Sequence, residues 1–544
     1  MAKEINYEVG RDKMIDGIDK TVNAVKVTLG PKGKCVAIQN GWGVPDITRD
    51  GATVAKAVEL KDAAENMGAQ LVKKAASNTE EQAGDGTSST SVLIQDIVKN
   101  GKKYLIDDSL NINEMKSGML KTVQWVTDYI RQNSVQVEGD LEKIRRVATI
   151  SANNDSEIGN LIVDCLEKVG LDGVLTADMS SGLDNVVDVV EGMKIERGWS
   201  SPHFVNKHDE GKAILENPYI LVVSEKLTSL PTLIDTLEII MEKGRPLLIV
   251  CDDIDEVVQA TLVMNVLQRI LSCCVIKGID FGDNRKNIME DISVFVGAQH
   301  ISPEYGLSMA QCDPSMLGSA QRVVVSKDSM IIYKGAGDQE AIEERVSILR
   351  QKENAPGITS YEKSKLNKRV ASLCGGIGVI RAGGAGESEK RNRKATIEDA
   401  ILAAYSAIEE GVVPGGGYTM LHAALTGEET FLTTLEGSER IGAQCVLNAL
   451  KGITKTIGEN SGINGEVLVK TLVDNKDQKN FGYNAKTGEY GDLVEMGVLD
   501  SAKVLRVALE NAVSAASMCL LTACTITDIQ EKSCNCNCDG ADHR

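Results

Sequence analysis

The chain has no apolar run approaching the roughly 20 residues needed to cross a bilayer. Its apolar stretches are short and bounded by charges, as at Pro246–Val250, so no membrane role is expected. It has no basic excess either. Lys and Arg number 59 against 78 Asp and Glu, and the net charge of −19 repels nucleic acid and anionic membranes. The start MAKEINYEVG lacks a signal-like apolar segment, and the 13 cysteines are scattered, as at Cys35, Cys165, Cys251 and Cys445, rather than spaced as a disulfide framework. These absences predict a reducing, cytoplasmic setting. No GxxxxGK[ST] follows a strand, which disfavours an ordinary P-loop.

At 544 residues the chain exceeds the size at which a single core keeps growing, so several domains are expected. Apolar residues at three- and four-residue spacing predict helices over Asp16–Val27 and Ala63–Asn78, and a Gly/Ser/Thr start precedes another over Ser91–Asn100. The texture returns in Ile397–Glu410, Ser438–Lys451 and Ser501–Leu520. Between them, β-rich runs at Tyr219–Val223, Pro246–Cys251, Arg322–Ser326 and Met330–Tyr333 alternate with helix-length stretches. The expected organisation is an α/β middle inside an α-helical frame. Gly192 in VVEGMK and Gly375–Gly376 in CGGIGV stand where the texture changes. Their conformational freedom suits hinges and suits plain turns equally.

The segment most informative for chemistry is Ala83–Ser91, AGDGTSSTS, which follows one helical stretch and opens another. Two glycines admit a ligand close to the backbone, and a helix start offers unpaired N–H groups to anionic oxygens. Asp85 would repel a bare phosphate, but fits if Mg²⁺ bridges carboxylate and phosphate oxygens. A plain helix cap would use the same residue types. Further Gly-rich turns lie at Thr28–Gly33 and Pro414–Gly417, each also readable as an ordinary turn.

LGPKG at 29–33, TRDGATV at 48–54, ENMGAQ at 65–70, AGDGTSS at 83–89, TISAN at 149–153 and EEGVVPGGG at 409–417 resemble, in this order, the signature motifs of group I chaperonins, the GroEL type. VVEGM at 189–193, FGDNRK at 281–286, IEDA at 397–400 and GYNA at 482–485 extend the resemblance across roughly 1–528. It implies a multidomain α and α/β chaperonin fold. A mainly α-helical equatorial ATPase domain would comprise 1–134 and 411–528, and a small α/β intermediate domain 135–191 and 377–410. An α/β apical substrate-binding domain would span 192–376, followed by a flexible Cys-rich tail at 529–544. Gly192, Gly376 and Gly411 fall at the implied hinges.

The implied activity is ATP hydrolysis coupled to the folding of unfolded polypeptides held in a homo-oligomeric ring of seven subunits, with a co-chaperonin lid as partner. Carried onto matching positions, Thr28, Leu29, Gly30, Pro31, Arg49, Asp85, Gly86, Thr87, Ser88, Ser89 and Ile150 would hold ATP, with Asp85 on Mg²⁺. Gly416, Asn484, Ala485 and Asp500 would line the nucleoside. Asp50 and Asp399 match the carboxylates that orient the attacking water, Asp399 being expected to arrive by hinge motion. Without the resemblance, Asp399 reads as a solvated acid on a helix face. Arg49 replaces the usual lysine beside a K⁺ site, and a guanidinium is bulkier than an ammonium.

Clients would be gripped by Trp199, His203, Phe204, Ile234, Leu237, Gln259, Val263 and Met264. The stretches Thr232–Lys243 and Glu256–Leu271 have more apolar surface than one packing face consumes, which fits either an exposed groove or fully buried helices. Gln259 and His203 make that groove more polar than the family's. Asn464 stands where a glutamate pairs across two rings, Gln136 where a hinge proline is expected, and Cys534, Cys536, Cys538 and His543 where many relatives have Gly-Gly-Met repeats. Soft metal ligation and a disordered tail both suit those last residues. The departures also suit a chaperonin encoded by a large bacteriophage. Two rival readings are a ring that holds clients without efficient hydrolysis, against which Asp50, Asp85 and Asp399 argue, and a small-molecule kinase, for which no second substrate pocket is evident.

Overall fold

The computed structural model describes residues 3–39, 45–105, 110–137, 139–171, 173–180, 182–208, 210–228, 237–238, 240, 242–280, 282–353, 365–366, 369–370, 372–373 and 375–528. They form two units, one from residues 1–163 with 384–544 and one from 164–383.

The first unit is helical, and its core is built by helices too apolar for a surface. Thr87–Lys102 buries Leu93, Ile94 and Ile97 and packs on both Gly437–Asn460, which buries Val446, Leu447 and Leu450, and Ala502–Leu521, which buries Leu509, Val513 and Leu520. Each such side chain contributes about 1.5–3 kcal/mol by leaving water. Ala502–Leu521 corrects one expectation: it has 20 residues and a mean hydropathy of 1.5, so a stretch of membrane-spanning length and composition does exist. Its apolar surface is mostly buried inside this unit, as in a core helix.

Side chains and glycines set the helix ends. Asp62 accepts the backbone N–H groups of Ala64 and Glu65 and starts Ala63–Ala83, and Gly84 at φ +74° ends it. The helix passes the expected end at Asn78 because no breaker occurs before Gly84. Glu387–Glu410 ends at Gly411, whose φ is +82° and whose Cβ, if present, would lie 2.7 Å from the Val135 carbonyl oxygen. There Val135 and Val412 exchange backbone hydrogen bonds of 2.8 and 2.9 Å, so two connecting segments run side by side. Strand Lys3–Asn6 pairs antiparallel with Thr525–Asp528, joining the two ends of the described chain.

The second unit is a nine-stranded mixed sheet with helices Glu256–Leu267, Gly282–Val296 and Gln339–Glu353. Strands Tyr219–Leu227, Leu247–Ile254 and Cys273–Lys277 lie parallel and side by side, and their near-continuous apolar runs are buried, as a sheet covered on both faces demands. Gly318–Val325, Met330–Gly335, Val186–Ile195 and Gly376–Ala382 continue the sheet antiparallel, and Val174–Met179 closes it parallel to the last of these. Gly192 and Gly376 are strand residues without positive φ, which corrects the turn reading. A Cβ on Gly192 would lie 2.0 Å from Ile377 Cδ1, and one on Gly376 2.8 Å from Val189 Cγ1, so close strand packing requires both glycines.

Candidate functional site

The site grows from the start of Thr87–Lys102 in the first unit. Its N-cap is Gly86 at φ +87°, with no side chain capping the helix, so the first-turn N–H groups are left for a ligand. The three segments quoted from the sequence converge on this point. Thr28 Oγ1 lies 3.1 Å from Ser88 Oγ. Asn460 donates to the Lys26 and Leu29 carbonyls at 2.8 and 2.9 Å, and Arg49 donates to the Gly30 carbonyl at 3.0 Å, so both fix the Thr28–Pro31 turn. Among the described residues, Arg49 Nε is buried without a partner.

Asp50 caps the short helix Gly51–Ala57, accepting from Ala52 and Thr53 at 3.0 and 2.7 Å. Gly51 brings that turn onto the start of Thr87–Lys102, since a Cβ there would lie 2.2 Å from Ser88 Oγ. Helix Glu387–Glu410 meets the loop from another side. Ser406 donates to the Ala83 carbonyl at 3.1 Å, and Leu402 sits where a Gly84 Cβ would point. Asp399, one turn before Leu402, therefore faces the loop and is half-buried, not solvated. It stands within the fields of Asp50 and Asp85.

Electrostatics mark the spot. Burial pushes Asp399 well above the ordinary carboxylate range, with Asp50 and Asp85 adding to the shift. Burial likewise raises Asp85, opposed by the Gly86 N–H, and raises Asp500 to about 7, with Asp85 as a further cause. Carboxylates gathered in this way repel one another, and a cation among them would relieve that repulsion. Among the described residues no three His, Cys, Asp or Glu side chains are placed to hold one unaided. A divalent ion seated by Asp85 and completed by phosphate oxygens fits both facts, because the protein supplies charge and the ligand supplies the missing donors.

Asp500 leads to the third segment. Strand Val412–Pro414 pairs with Leu499–Ser501, placing Gly415 against Asp500 so closely that a Cβ would lie 2.7 Å from Oδ1. Gly416 has φ +63° and faces the Tyr483 carbonyl, beside buried Asn484 and Ala485. Gly417 caps Tyr418–Glu429 without a side-chain bond, so a second helix start is open here. Sequence reasoning missed Ser151, next to Ile150 on helix Leu141–Ser151. Its buried hydroxyl has no well-formed hydrogen bond and lies beside Asp85. TISAN held the signal, but only Ile150 was taken from it. Gly51, Gly415 and Asn460 were also missed, because close approach is invisible in spacing.

The expected client residues scatter by burial in the second unit. Helix Glu256–Leu267 is not fully buried: Val257, Met264 and Leu267 are 71%, 52% and 57% exposed, over buried Val258 and Leu262. Gln259 and Val263 are half-buried, and the helix packs on the turn Pro202–Phe204, where His203 is exposed. Trp199 is partly buried, donating to the Gly211 carbonyl at 3.3 Å. Phe204 and Leu237 belong to the core and offer no surface, which corrects their expected place on the groove. Ile234 and the tail with Cys534, Cys536, Cys538 and His543 lie outside the described residues.

Residues 22–530 match the TCP-1/cpn60 chaperonin family. The fold is similar to a crystal structure of the chaperonin gp146 from bacteriophage EL 2 (Pseudomonas aeruginosa) in the presence of ATP-BeFx, crystal form II. The TM-score is 0.72 at 20% identity, covering 97% of this chain and 99% of that one. Crystal form I of the same protein gives a TM-score of 0.63 with the same identity and coverage.

Proposed function

The chain belongs to the TCP-1/cpn60 chaperonin family, and on that premise we propose that the Asp50, Asp85 and Asp399 pocket is its site of ATP hydrolysis. The protein is an ATP-dependent chaperonin, an ATPase that acts on non-native polypeptides and assembles as an oligomeric ring. The observation that supports the site most is the convergence of three carboxylates, two of them pushed upward, on an uncapped helix start.

In this reading the open N–H groups after Gly86, with Thr87, Ser88, Ser89 and the Thr28–Pro31 turn, bind the triphosphate. The nucleoside lies along Gly416, Asn484, Ala485, Ile150 and Asp500. Asp85 holds Mg²⁺, which neutralises phosphate charge when bound. Asp50 is fixed by its two backbone bonds, so it orients a water with little loss of side-chain freedom. Asp399, with its raised proton affinity, is suited to take that water's proton. Arg49 holds the Gly30 carbonyl beside the place where K⁺ would sit.

Clients bind on the exposed face of Glu256–Leu267. The finer reading comprises a cytoplasmic ring of seven subunits, a separate lid protein, the three domain types at the boundaries given above, and a phage origin; the order of motifs supports the domain layout, and the departures at Gln136, Asn464 and the Cys-rich tail support the origin. Asn464 caps Gly465–Asp474, accepting from Glu466 and Val467 at 3.0 and 3.2 Å, and brings no charge to an inter-ring contact. ATPase assays of the purified ring, with and without an unfolded client and with Mg²⁺ chelated, test the proposal. It expects hydrolysis that disappears on chelation, and metal-independent hydrolysis would refute it.

A further inference from the structure

A cavity of about 930 Å³ opens in the second unit between the sheet and helix Gln339–Glu353. That volume suits a small organic ligand. On its sheet side Gly192, Gly335 and Gly376 contribute no side chain, and Val189 and Glu191 stand beside them. Packing behind the glycines keeps those positions bare: a Cβ on Gly335 would lie 2.1 Å from the Phe295 carbonyl oxygen, and Gly192 and Gly376 are constrained as described. Ile342 and Val346 from the helix, with Val189, Phe295 and Leu373, give the cavity an apolar lining.

The rim is acidic. Glu191 from strand Val186–Ile195 and Glu343 from the helix both line the cavity and are exposed. Glu343 accepts from Gln339 at 3.2 Å, and among the described residues neither carboxylate is paired with a cation. The helix's own arginines do not supply one. Arg345 is committed to Glu290 and Asp291, and Arg350 has a partner of its own. A flat apolar slot with two unneutralised carboxylates at its mouth is complementary to a flat body carrying a protonated nitrogen.

We propose that this cavity binds a small aromatic amine, its ring between the glycine wall and the helix and its ammonium at Glu191 and Glu343. Such a ligand joins the strand through Gly192, the strand that starts at Gly376 and the helix, and so restrains the two positions assigned as hinges. That regulatory consequence rests on the chaperonin reading; the binding does not.

Isothermal titration of tryptamine into the full-length assembled protein tests the site, alongside indole-3-propionate, which has a similar ring and the opposite charge. The expected result is one saturable site per chain for tryptamine and at least about tenfold weaker binding of the acid. The pair Glu191→Gln and Glu343→Gln should weaken tryptamine about tenfold. Ser347→Trp, placed at an exposed lining position, should fill the slot and abolish binding without lowering the melting temperature. No saturable binding at millimolar tryptamine, equal binding of the acid, or undiminished binding to Ser347→Trp would each overturn the site. If tryptamine binds as expected but leaves ATP turnover unchanged at saturation, the site stands and only its link to the hinges fails.

Discussion

Replacing Asp399 separates binding from chemistry in the first unit. Its carboxyl is held well above the ordinary range by burial first and by Asp50 and Asp85 next, so its charge is opposed by its surroundings. In Asp399→Asn that opposition disappears. Because the unfolded carboxyl ionises freely while the folded one is opposed, the nucleotide-free protein should gain stability at neutral pH. The opposite change is expected in turnover. A positioned base contributes about 10²–10⁴ in rate, or about 3–5.5 kcal/mol of barrier. Single-turnover hydrolysis and equilibrium binding of ATP, with a melting scan of each protein, measure all three quantities. The expected pattern is slow hydrolysis, ATP affinity within about threefold of the parent, and a raised melting temperature, as for a group that acts on the transition state. Turnover within about fivefold of the parent, or a loss of affinity as large as the loss of rate, would refute the reasoning.

The same carboxylates set a pH dependence. Asp500 is raised to about 7 and Asp96 to about 6, both chiefly by burial. The folded state therefore keeps protons that the unfolded chain, titrating near 4, has lost, and stability falls as pH rises from about 4 to about 7. Asp500→Asn should flatten that slope in thermal melts at pH 5 to 8, by at most about 3 kcal/mol between the extremes. Gly51→Ala should weaken ATP at least about tenfold while the protein stays folded, because the added methyl displaces Ser88 from 2.2 Å away; unchanged ATP affinity in calorimetry would contradict the packing. Val257→Ser with Met264→Ser and Leu267→Ser should suppress capture of an unfolded client, measured by light scattering, without lowering the melting temperature, since the three side chains are exposed. Gly411→Ala should cost about 1–3 kcal/mol in denaturant unfolding, since φ is +82° and the Val135 carbonyl fills the space.

The strongly periodic elements were legible in advance. Four β-rich runs appear as Tyr219–Leu227, Leu247–Ile254, Gly318–Val325 and Met330–Gly335, because buried strands need continuous apolar residues whatever surrounds them. The helices were found but cut short: Ser438–Lys451 is the first part of Gly437–Asn460, and Ile397–Glu410 is the end of Glu387–Glu410, whose polar start ESEKRNRK carries no apolar rhythm. The convergence of Thr28, Asp50, Asp85 and Asp500 was available only through family motifs, since nothing local ties residues hundreds of positions apart. Burial defeated the client surface. Phe204 and Val257 are both apolar in the sequence, and only packing decides that one is core and the other exposed.

The pairing of Lys3–Asn6 with Thr525–Asp528 has a temporal meaning. A ribosome adding about 5–20 residues per second needs roughly half a minute to two minutes to travel from the earlier strand to its mate. Throughout that interval the leading strand's hydrogen-bonding edge waits unmatched, while residues 164–383, being contiguous, can already mature. Completion of the split unit is thus timed by the last strand to emerge.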